Sequence, residues 1–138
     1  MENSKLNLIA KASAPVILRL VFAFVFFYFG FAQLGNASMW TSYLPSWVGS
    51  LPISEYKFVL LNGWFEIISA VLLVLGAYVR PVALLLALHL FGIAASIGID
   101  PTGVRDIGLA GATFAISLLG AGPFSVDEFI SEETSTIQ

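Results

Sequence analysis

Glu66 is the side chain in this sequence best suited to chemistry, because it is a lone carboxylate inside the apolar run of residues 60–76. Asn62 and Ser69 lie four residues before it and three residues after it, so the three side chains share one face of a helix. An ionisable group in an apolar membrane segment is costly, and by default it marks an interior face with a function. The structural alternative is a neutral Glu66 that hydrogen-bonds to a neighbouring helix and locks the two together.

His89, the single histidine of the chain, is predicted to lie at the same depth as Glu66. A rise of ~1.5 Å per helical residue places both side chains about 15 Å below the outer membrane face. We therefore predict a catalytic pair of proton carriers, with a histidine packed in the core as the alternative. The predicted ligand-binding side chains, above this pair toward the outer face, are Gln33, Asn62, Arg105 and Asp106. For Arg105 and Asp106 the alternative is an ion pair at a helix end.

Four membrane-spanning helices are predicted to position these residues. The chain is 58% hydrophobic and 11% charged over 138 residues, which is more apolar surface than one soluble core can bury. A run of about 20 apolar residues crosses the hydrocarbon layer, and each of the segments 15–34, 56–79, 82–99 and 104–120 is apolar except for one polar or small stripe. The sequence therefore predicts an all-α integral membrane four-helix bundle with these stripes facing inward. The pairs Gly108 with Ala112 and Gly111 with Ala115 are expected to let helices approach closely.

Two segments outside the spans are predicted to be partly helical. Residues 36–54 carry Trp40, Tyr43 and Trp47, whose spacing puts three rings on one side of a short helix. This pattern favours an amphipathic segment at the water–lipid interface, and a lid over a cavity mouth is the alternative. In the tail, Ser125 and Glu128 have capping-box spacing, which predicts a short helix starting at Val126.

The predicted domain organisation follows from these elements. Residues 1–14 form an N-terminal segment, residues 15–122 the spanning domain, and residues 123–138 a tail that is expected to be disordered from residue 132. Pro15 suits the first turn of a helix, and Arg80–Pro81 is expected to be the hairpin between the second and third spans.

Basic residues predict the orientation of the chain in the cell membrane. Lys5, Lys11, Arg19 and Arg80 fall on one face of a four-span protein, so the positive-inside rule places both termini in the cytoplasm. Arg19 is expected to extend along the helix to the inner face as an anchor. Residues 35–37 also resemble a signal-peptidase site, but the apolar run before them is long enough to span as it stands; both alternatives are kept.

Several kinds of chemistry are excluded or disfavoured by the composition. The chain has no cysteine, so any thiol or disulfide step belongs to a partner. It has no basic patch for nucleic acid. One histidine with scattered carboxylates has no metal-ligand spacing, so no metal site is predicted. No phosphate loop, Ser-His-Asp set or CxxC motif completes a catalytic constellation in this chain.

The order of several short motifs resembles the DoxX family of small four-span membrane proteins. The motifs are Arg19 with the later Gly-Phe-Ala-Gln-Leu at 30–34, Gly-Trp-Phe-Glu at 63–66 followed by Leu-Gly at 75–76, Val-Arg-Asp-Ile-Gly-Leu at 104–109, and Gly-Ala-Gly-Pro-Phe-Ser-Val-Asp at 120–127. In the last motif Ala121 stands where the family pattern has proline, and Gln33 stands where the family often has a basic residue. The family is named for a subunit of a thiosulfate:quinone oxidoreductase, and other members are linked to membrane redox complexes. The resemblance therefore implies a membrane subunit associated with an oxidoreductase.

The leading functional hypothesis is a membrane subunit of a redox complex, with a polar pocket inside the membrane for a quinone-like or other small ligand. Quinone is the candidate ligand, and no cofactor is expected in the chain itself. The expected partners are the lipid bilayer, another protein of the complex and a second copy of the chain. A non-enzymatic scaffold or assembly factor is the alternative, and a small-solute carrier is a third hypothesis, which the lack of visible inverted repeats disfavours.

Overall fold

The computed structural model describes residues 2–136, with side chains from residue 4 to residue 135. Regular structure in this range is entirely helical, which confirms the predicted all-α class. The elements are α1 (Glu2–Gly35), α2 (Ala37–Trp40), two 3₁₀ helices (Thr41–Tyr43 and Ser46–Ser50), α3 (Glu55–Leu75), α4 (Val79–Ile97), α5 (Pro101–Leu119) and α6 (Val126–Thr136).

Three of the helices within residues 2–136 are long and apolar enough to cross a membrane, namely α1, α3 and α4. The outward faces of these helices carry large exposed apolar side chains such as Phe24, Leu61 and Leu85. A contiguous apolar surface of this kind requires lipid or a partner to cover it. Helix α5, which was predicted as the fourth span, is not among the three because Arg105 and Asp106 lower its apolar character.

Helix α1 begins earlier than the sequence predicted. Pro15 lies inside α1 rather than in its first turn, and the helix continues through it to Glu2. A proline removes one hydrogen bond of the helix, and residues 4–12 are all exposed, so this end of α1 is held mainly by its own backbone bonds. Pro15 also lies close to Gly122, in the segment after α5: a Cβ added to Gly122 would be 2.9 Å from Pro15 Cβ.

The turn between α3 and α4 lies before Arg80–Pro81, contrary to prediction. Helix α3 ends at Gly76 in the left-handed conformation (φ 68°), which glycine adopts without a steric penalty. Arg80 and Pro81 belong to the first turn of α4, where the missing N–H of proline removes no helical bond. Tyr78 precedes α4 with no cap from its own side chain.

Four helices pack in two pairs, α1 along α3 and α4 along α5, with smaller contacts between α3 and α4 and between α1 and α5. The buried core between them includes Phe22, Phe26, Leu73, Leu86 and Ile116. The two glycines predicted to mediate close helix packing do not do so, whereas Ala112 packs against the core. A Cβ added at Gly108 or Gly111 would meet nothing within 4 Å, because both residues are exposed.

The close approach occurs instead where α1 crosses α3, at Gly30 and Gly63. A Cβ at Gly30 would lie 2.9 Å from the Gly63 carbonyl oxygen, and a Cβ at Gly63 would lie 3.0 Å from the Gly30 carbonyl oxygen. Two backbones can approach this closely only where neither residue has a side chain.

Arg19 is buried, which corrects the prediction of an anchor at the membrane surface. Its side chain is 2% exposed. It donates hydrogen bonds to the carbonyl oxygens of Ala121 (2.9 Å) and Phe124 (3.1 Å) in the segment after α5. These carbonyls stabilise the two terminal nitrogens of the guanidinium group inside the protein, while its Nε is buried without a hydrogen-bond partner.

Asp127 joins the same C-terminal segment to the start of α4. Its carboxylate accepts hydrogen bonds from the backbone N–H groups of Tyr78 (2.7 Å) and Val79 (2.9 Å), and its own N–H donates to Gly76 O at 3.0 Å. An acid from α6 thus provides the N-terminal cap that α4 lacks locally.

The tail helix α6 starts at Val126, as predicted, and the Ser125 hydroxyl accepts the Glu128 N–H at 3.2 Å. It continues to Thr136, so the expectation of disorder from residue 132 is wrong for residues 132–136. The cap and the acidic first turn favour helix formation. The last two residues of that predicted disordered stretch, 137 and 138, lie outside the described range.

Candidate functional site

A cavity of about 570 Å³ opens between the α1–α3 pair and the α4–α5 pair. All six predicted site residues line it, namely Gln33, Asn62, Glu66, His89, Arg105 and Asp106. Its volume falls in the range of about 300–1,000 Å³ that small-molecule pockets occupy. Polar residues of α1, α3, α4 and α5 therefore line one cavity that is large enough for a small ligand.

Glu66 is the centre of a hydrogen-bond network in this cavity. The Glu66 side chain is 4% exposed. Gln33 Nε2 donates to Oε2 at 2.9 Å, and Asn62 Nδ2 donates to Oε1 at 3.1 Å. Asn62 Nδ2 also lies 2.7 Å from Gln33 Oε1. Both carboxylate oxygens of Glu66 therefore accept a hydrogen bond from a side-chain amide.

His89 reaches the same carboxylate from α4. Its Nε2 atom lies 3.3 Å from Glu66 Oε1, and its ring packs edge-on against Phe65 at 5.4 Å between ring centroids. Either atom can hold the proton of this contact, because imidazole and carboxylate each have a protonated and an unprotonated form. The pair is therefore chemically suited to transfer one proton.

Arg105 and Asp106 form an ion pair at the α5 side of the cavity. Arg105 Nε and one terminal nitrogen each lie 2.8 Å from Asp106 Oδ1. The Asp106 side chain is 7% exposed and that of Arg105 is 52% exposed. The guanidinium carbon also lies 5.7 Å from the centroid of the Phe29 ring. The geometry agrees with an ion pair near a helix N-terminus, and both residues still face the ligand space.

Local sequence explains how these side chains converge. Asn62 and Glu66 are one helical turn apart on α3. The Gly30–Gly63 crossing brings Gln33, three residues beyond Gly30, against that turn. On α5, the Asp100 side chain accepts the Gly103 N–H at 2.6 Å. With Pro101 at the first helical position, this cap fixes the start of the helix that carries Asp106.

Six residues of the segment between α1 and α3 (residues 36–54, called the lid below) line the cavity. Its position at the water–lipid interface stays a prediction. Trp40, Tyr43 and Trp47 all line the cavity, but they do not lie on one short helix as predicted. Leu44 and Pro45 are extended and separate the two 3₁₀ helices, because the residue before a proline avoids the helical conformation. Trp47 packs edge-on against Phe58 of α3 at 5.9 Å between centroids.

Sequence reasoning missed the aromatic lining contributed by the helices. Phe26 and Phe29 of α1 and Phe58 of α3 line the cavity together with the rings of the lid. In sequence these residues cannot be told from lipid-facing phenylalanines, because both lie in apolar runs. The one indication was that Phe26 shares a helical stripe with Gly30 and Gln33, which predicts that it faces the same side of α1 as Gln33. No group of three or more His, Asp or Glu that could hold a metal is found among residues 2–136.

Comparison with known proteins identifies one family. The DoxX family model matches residues 14–98, which contain α1 through α4 except the first part of α1. The resembling motifs at 104–109 and 120–127 lie outside this match. No curated protein and no solved structure matches the chain.

Proposed function

The chain belongs to the DoxX family, and we propose that it is the membrane subunit of a redox complex whose cavity binds a quinone-like or other small ligand. The contact between Glu66 and His89, at 3.3 Å within an apolar cavity, is the observation that carries this proposal. Both groups can carry a proton, and a ligand oxygen in the cavity would lie within reach of them.

The proposed reaction takes two electrons and two protons to convert a quinone to a quinol. In this proposal the electrons come from a redox centre of a partner protein. A thiol donor would have to belong to that partner, because this chain has no cysteine. The protons reach the quinone oxygens one at a time, through Glu66 Oε1 and His89 Nε2. Gln33 and Asn62 hold the carboxylate in place during this transfer, and Arg105 is available as a hydrogen-bond donor to a ligand oxygen.

Glu66→Gln tests this proposal, with Glu55→Gln as the matched control on the same helix. Glu55 is exposed in the first turn of α3 and does not line the cavity. We expect Glu66→Gln to assemble with its partner and to lower quinone reduction by membranes by at least tenfold, while Glu55→Gln has no effect. Equal quinone reduction in both variants would refute the role of Glu66.

We further propose that α5 is a fourth span, so that both termini lie in the cytoplasm. Helix α5 starts just after Gly98, at the end of α4. It ends at Gly120, where an added Cβ would lie 3.2 Å from Arg80 Nε, at the start of α4. Since α5 runs back along the whole of α4, it must cross wherever α4 crosses. Nineteen residues at ~1.5 Å each span about 28 Å, close to the hydrocarbon thickness.

Single cysteines in this cysteine-free chain measure the topology. Ser4→Cys and Ser131→Cys place thiols in α1 and α6, and Ser50→Cys places one at the end of the lid; all three positions are exposed. In intact cells a membrane-impermeant maleimide should label Ser50→Cys only. Labelling of Ser131→Cys from outside would show that α5 does not cross.

The alternative function, a scaffold or assembly factor, is favoured by one observation. Helix α6 follows the candidate spans and exposes Val126, Phe129 and Ile130, three apolar residues on one face. If this face binds a partner protein, removal of residues 128–138, which leaves the Asp127 cap of α4 in place, should abolish co-purification of the partner. Glu66→Gln would then change only the thermal stability of the protein in detergent.

A further inference from the structure

We propose that the cavity also binds monovalent aromatic organic cations, with ionised Glu66 as the counter-charge for which a proton competes. This inference goes beyond the quinone proposal and does not depend on it. It follows from the charges and the aromatic rings that line the cavity.

The charges of the cavity do not cancel when Glu66 is ionised and His89 is neutral. The titratable side chains that line it are Tyr43 of the lid, Glu66 of α3, His89 of α4, and Arg105 and Asp106 of α5, and α1 contributes none. Arg105 and Asp106 neutralise each other through contacts of 2.8 Å. One negative charge, that of Glu66, is left over.

No fixed cation compensates this charge. The groups that donate to Glu66 from α1 and α3 are the neutral amides of Gln33 and Asn62. In the described part of the chain, no lysine or arginine lies within ion-pair distance of Glu66, and only His89 does so. An uncompensated carboxylate in an apolar cavity attracts a cation strongly, because the low dielectric constant weakens screening.

The aromatic lining favours the same class of ligand. The six rings around the cavity are those of Phe26, Phe29, Trp40, Tyr43, Trp47 and Phe58. A cation within about 6 Å of a ring centroid is attracted by the π-electrons, most strongly by those of tryptophan. The Arg105 guanidinium already lies over the Phe29 ring at 5.7 Å. A bulky organic cation would contact several such rings at once, whereas an anion would face their negative faces and the Glu66 carboxylate.

A proton and an organic cation should exclude each other. A proton taken up by Glu66 removes the negative charge, and one taken up by His89 supplies a positive charge at 3.3 Å from the carboxylate. In either case the cavity has no net negative charge, and its attraction for an organic cation is lost. The ion pair of Arg105 and Asp106 and the neutral Tyr43 do not replace the missing charge. Cation binding should therefore weaken as the pH falls.

Two probes of the same shape and opposite charge test the proposal, namely tetraphenylphosphonium and tetraphenylborate. Binding is followed by quenching of Trp40 and Trp47 fluorescence in the purified full chain in detergent. Trp64 is first replaced in all proteins (Trp64→Phe), because it is 55% exposed outside the cavity and would report on the detergent. We expect saturable binding of the phosphonium at pH 8, at least tenfold weaker at pH 5, and at least tenfold weaker binding of the borate at pH 8.

Glu66→Gln should weaken phosphonium binding at pH 8 by at least tenfold and abolish its pH dependence. Should this variant fail to fold, the pH titration of the protein with Glu66 intact still decides the matter. Equal binding of the two probes, or phosphonium binding that does not change between pH 8 and pH 5, would overturn the proposal. A short-chain quinone titrated in parallel tests the redox proposal separately, since loss of cation binding does not affect a neutral ligand.

Discussion

Gly30→Ala is expected to separate α1 from α3 and to disrupt the hydrogen-bond network around Glu66. The new Cβ would lie 2.7 Å from Ile67 Cγ1 and 2.9 Å from the Gly63 carbonyl oxygen. An ordinary carbon–oxygen contact needs about 3.4 Å, so the two backbones must move apart by about half an ångström. Gln33 is one turn further along α1, and its 2.9 Å bond to Glu66 would stretch toward the limit of a hydrogen bond.

The net cost of Gly30→Ala is about 1 kcal/mol, the central difference between the cost of overpacking and the gain in helix propensity. Overpacking of a tight contact costs about 1–3 kcal/mol. Replacing glycine by alanine inside a helix returns roughly 0.5–1 kcal/mol. Gly111→Ala is the matched control on α5, because its Cβ would meet nothing within 4 Å. Gly111→Ala should show only the gain from replacing glycine inside a helix, so the two substitutions should change the free energy of unfolding in opposite directions.

Thermal unfolding in one detergent, followed by far-ultraviolet circular dichroism, measures both effects. Gly30→Ala should lower the melting temperature by a few degrees, and Gly111→Ala should leave it unchanged or raise it. Gly30→Ala should also weaken ligand binding in the cavity, since Gln33 no longer holds Glu66. A Gly30→Ala protein at least as stable as the unsubstituted chain would refute the assignment of this crossing as the tight contact.

Two further predictions concern the segment that ties α6 to the other helices. Asp127→Ala removes the cap of α4 and should cost about 0.5–2 kcal/mol, while Glu128→Ala, which removes an exposed neighbouring carboxylate, should be near neutral; thermal unfolding compares them. Arg19→Lys cannot reach the carbonyls of both Ala121 and Phe124 and should cost about 1–3 kcal/mol. Arg80→Lys, at an exposed position, is its control in the same measurement, and an equal loss from both would contradict the role given to Arg19.

The helices and the polar cluster could be predicted from sequence because both follow helical periodicity. Asn62 and Glu66 one turn apart identified the face of α3 that lines the cavity, and equal depth in antiparallel helices paired Glu66 with His89. The structure places these side chains together, with Gln33 in direct contact rather than above them. Their participation in proton transfer stays a prediction.

Features that depend on contacts between distant segments could not be predicted. Arg19 looked like a surface anchor because its carbonyl partners lie 102 and 105 residues away. The α4 cap was hidden for the same reason, since Asp127 is remote from Tyr78 in sequence. The close crossing at Gly30 and Gly63 could not be predicted in place of Gly108 and Gly111, because that required knowledge of which helix faces are neighbours.

Arg19 and Glu66, two of the buried charged residues, differ in whether their hydrogen-bond partners can change protonation state. Arg19 binds backbone carbonyl oxygens, which do not titrate, and a guanidinium group keeps its proton in proteins. The hydrogen bonds of Arg19 therefore exist in a single charge state, which suits a structural role in holding the C-terminal segment in place. Glu66 binds two amides and an imidazole, and the imidazole can give or take a proton. Because only the second arrangement has two charge states, and because it alone lines a ligand-sized cavity, chemistry is expected at Glu66 and not at Arg19.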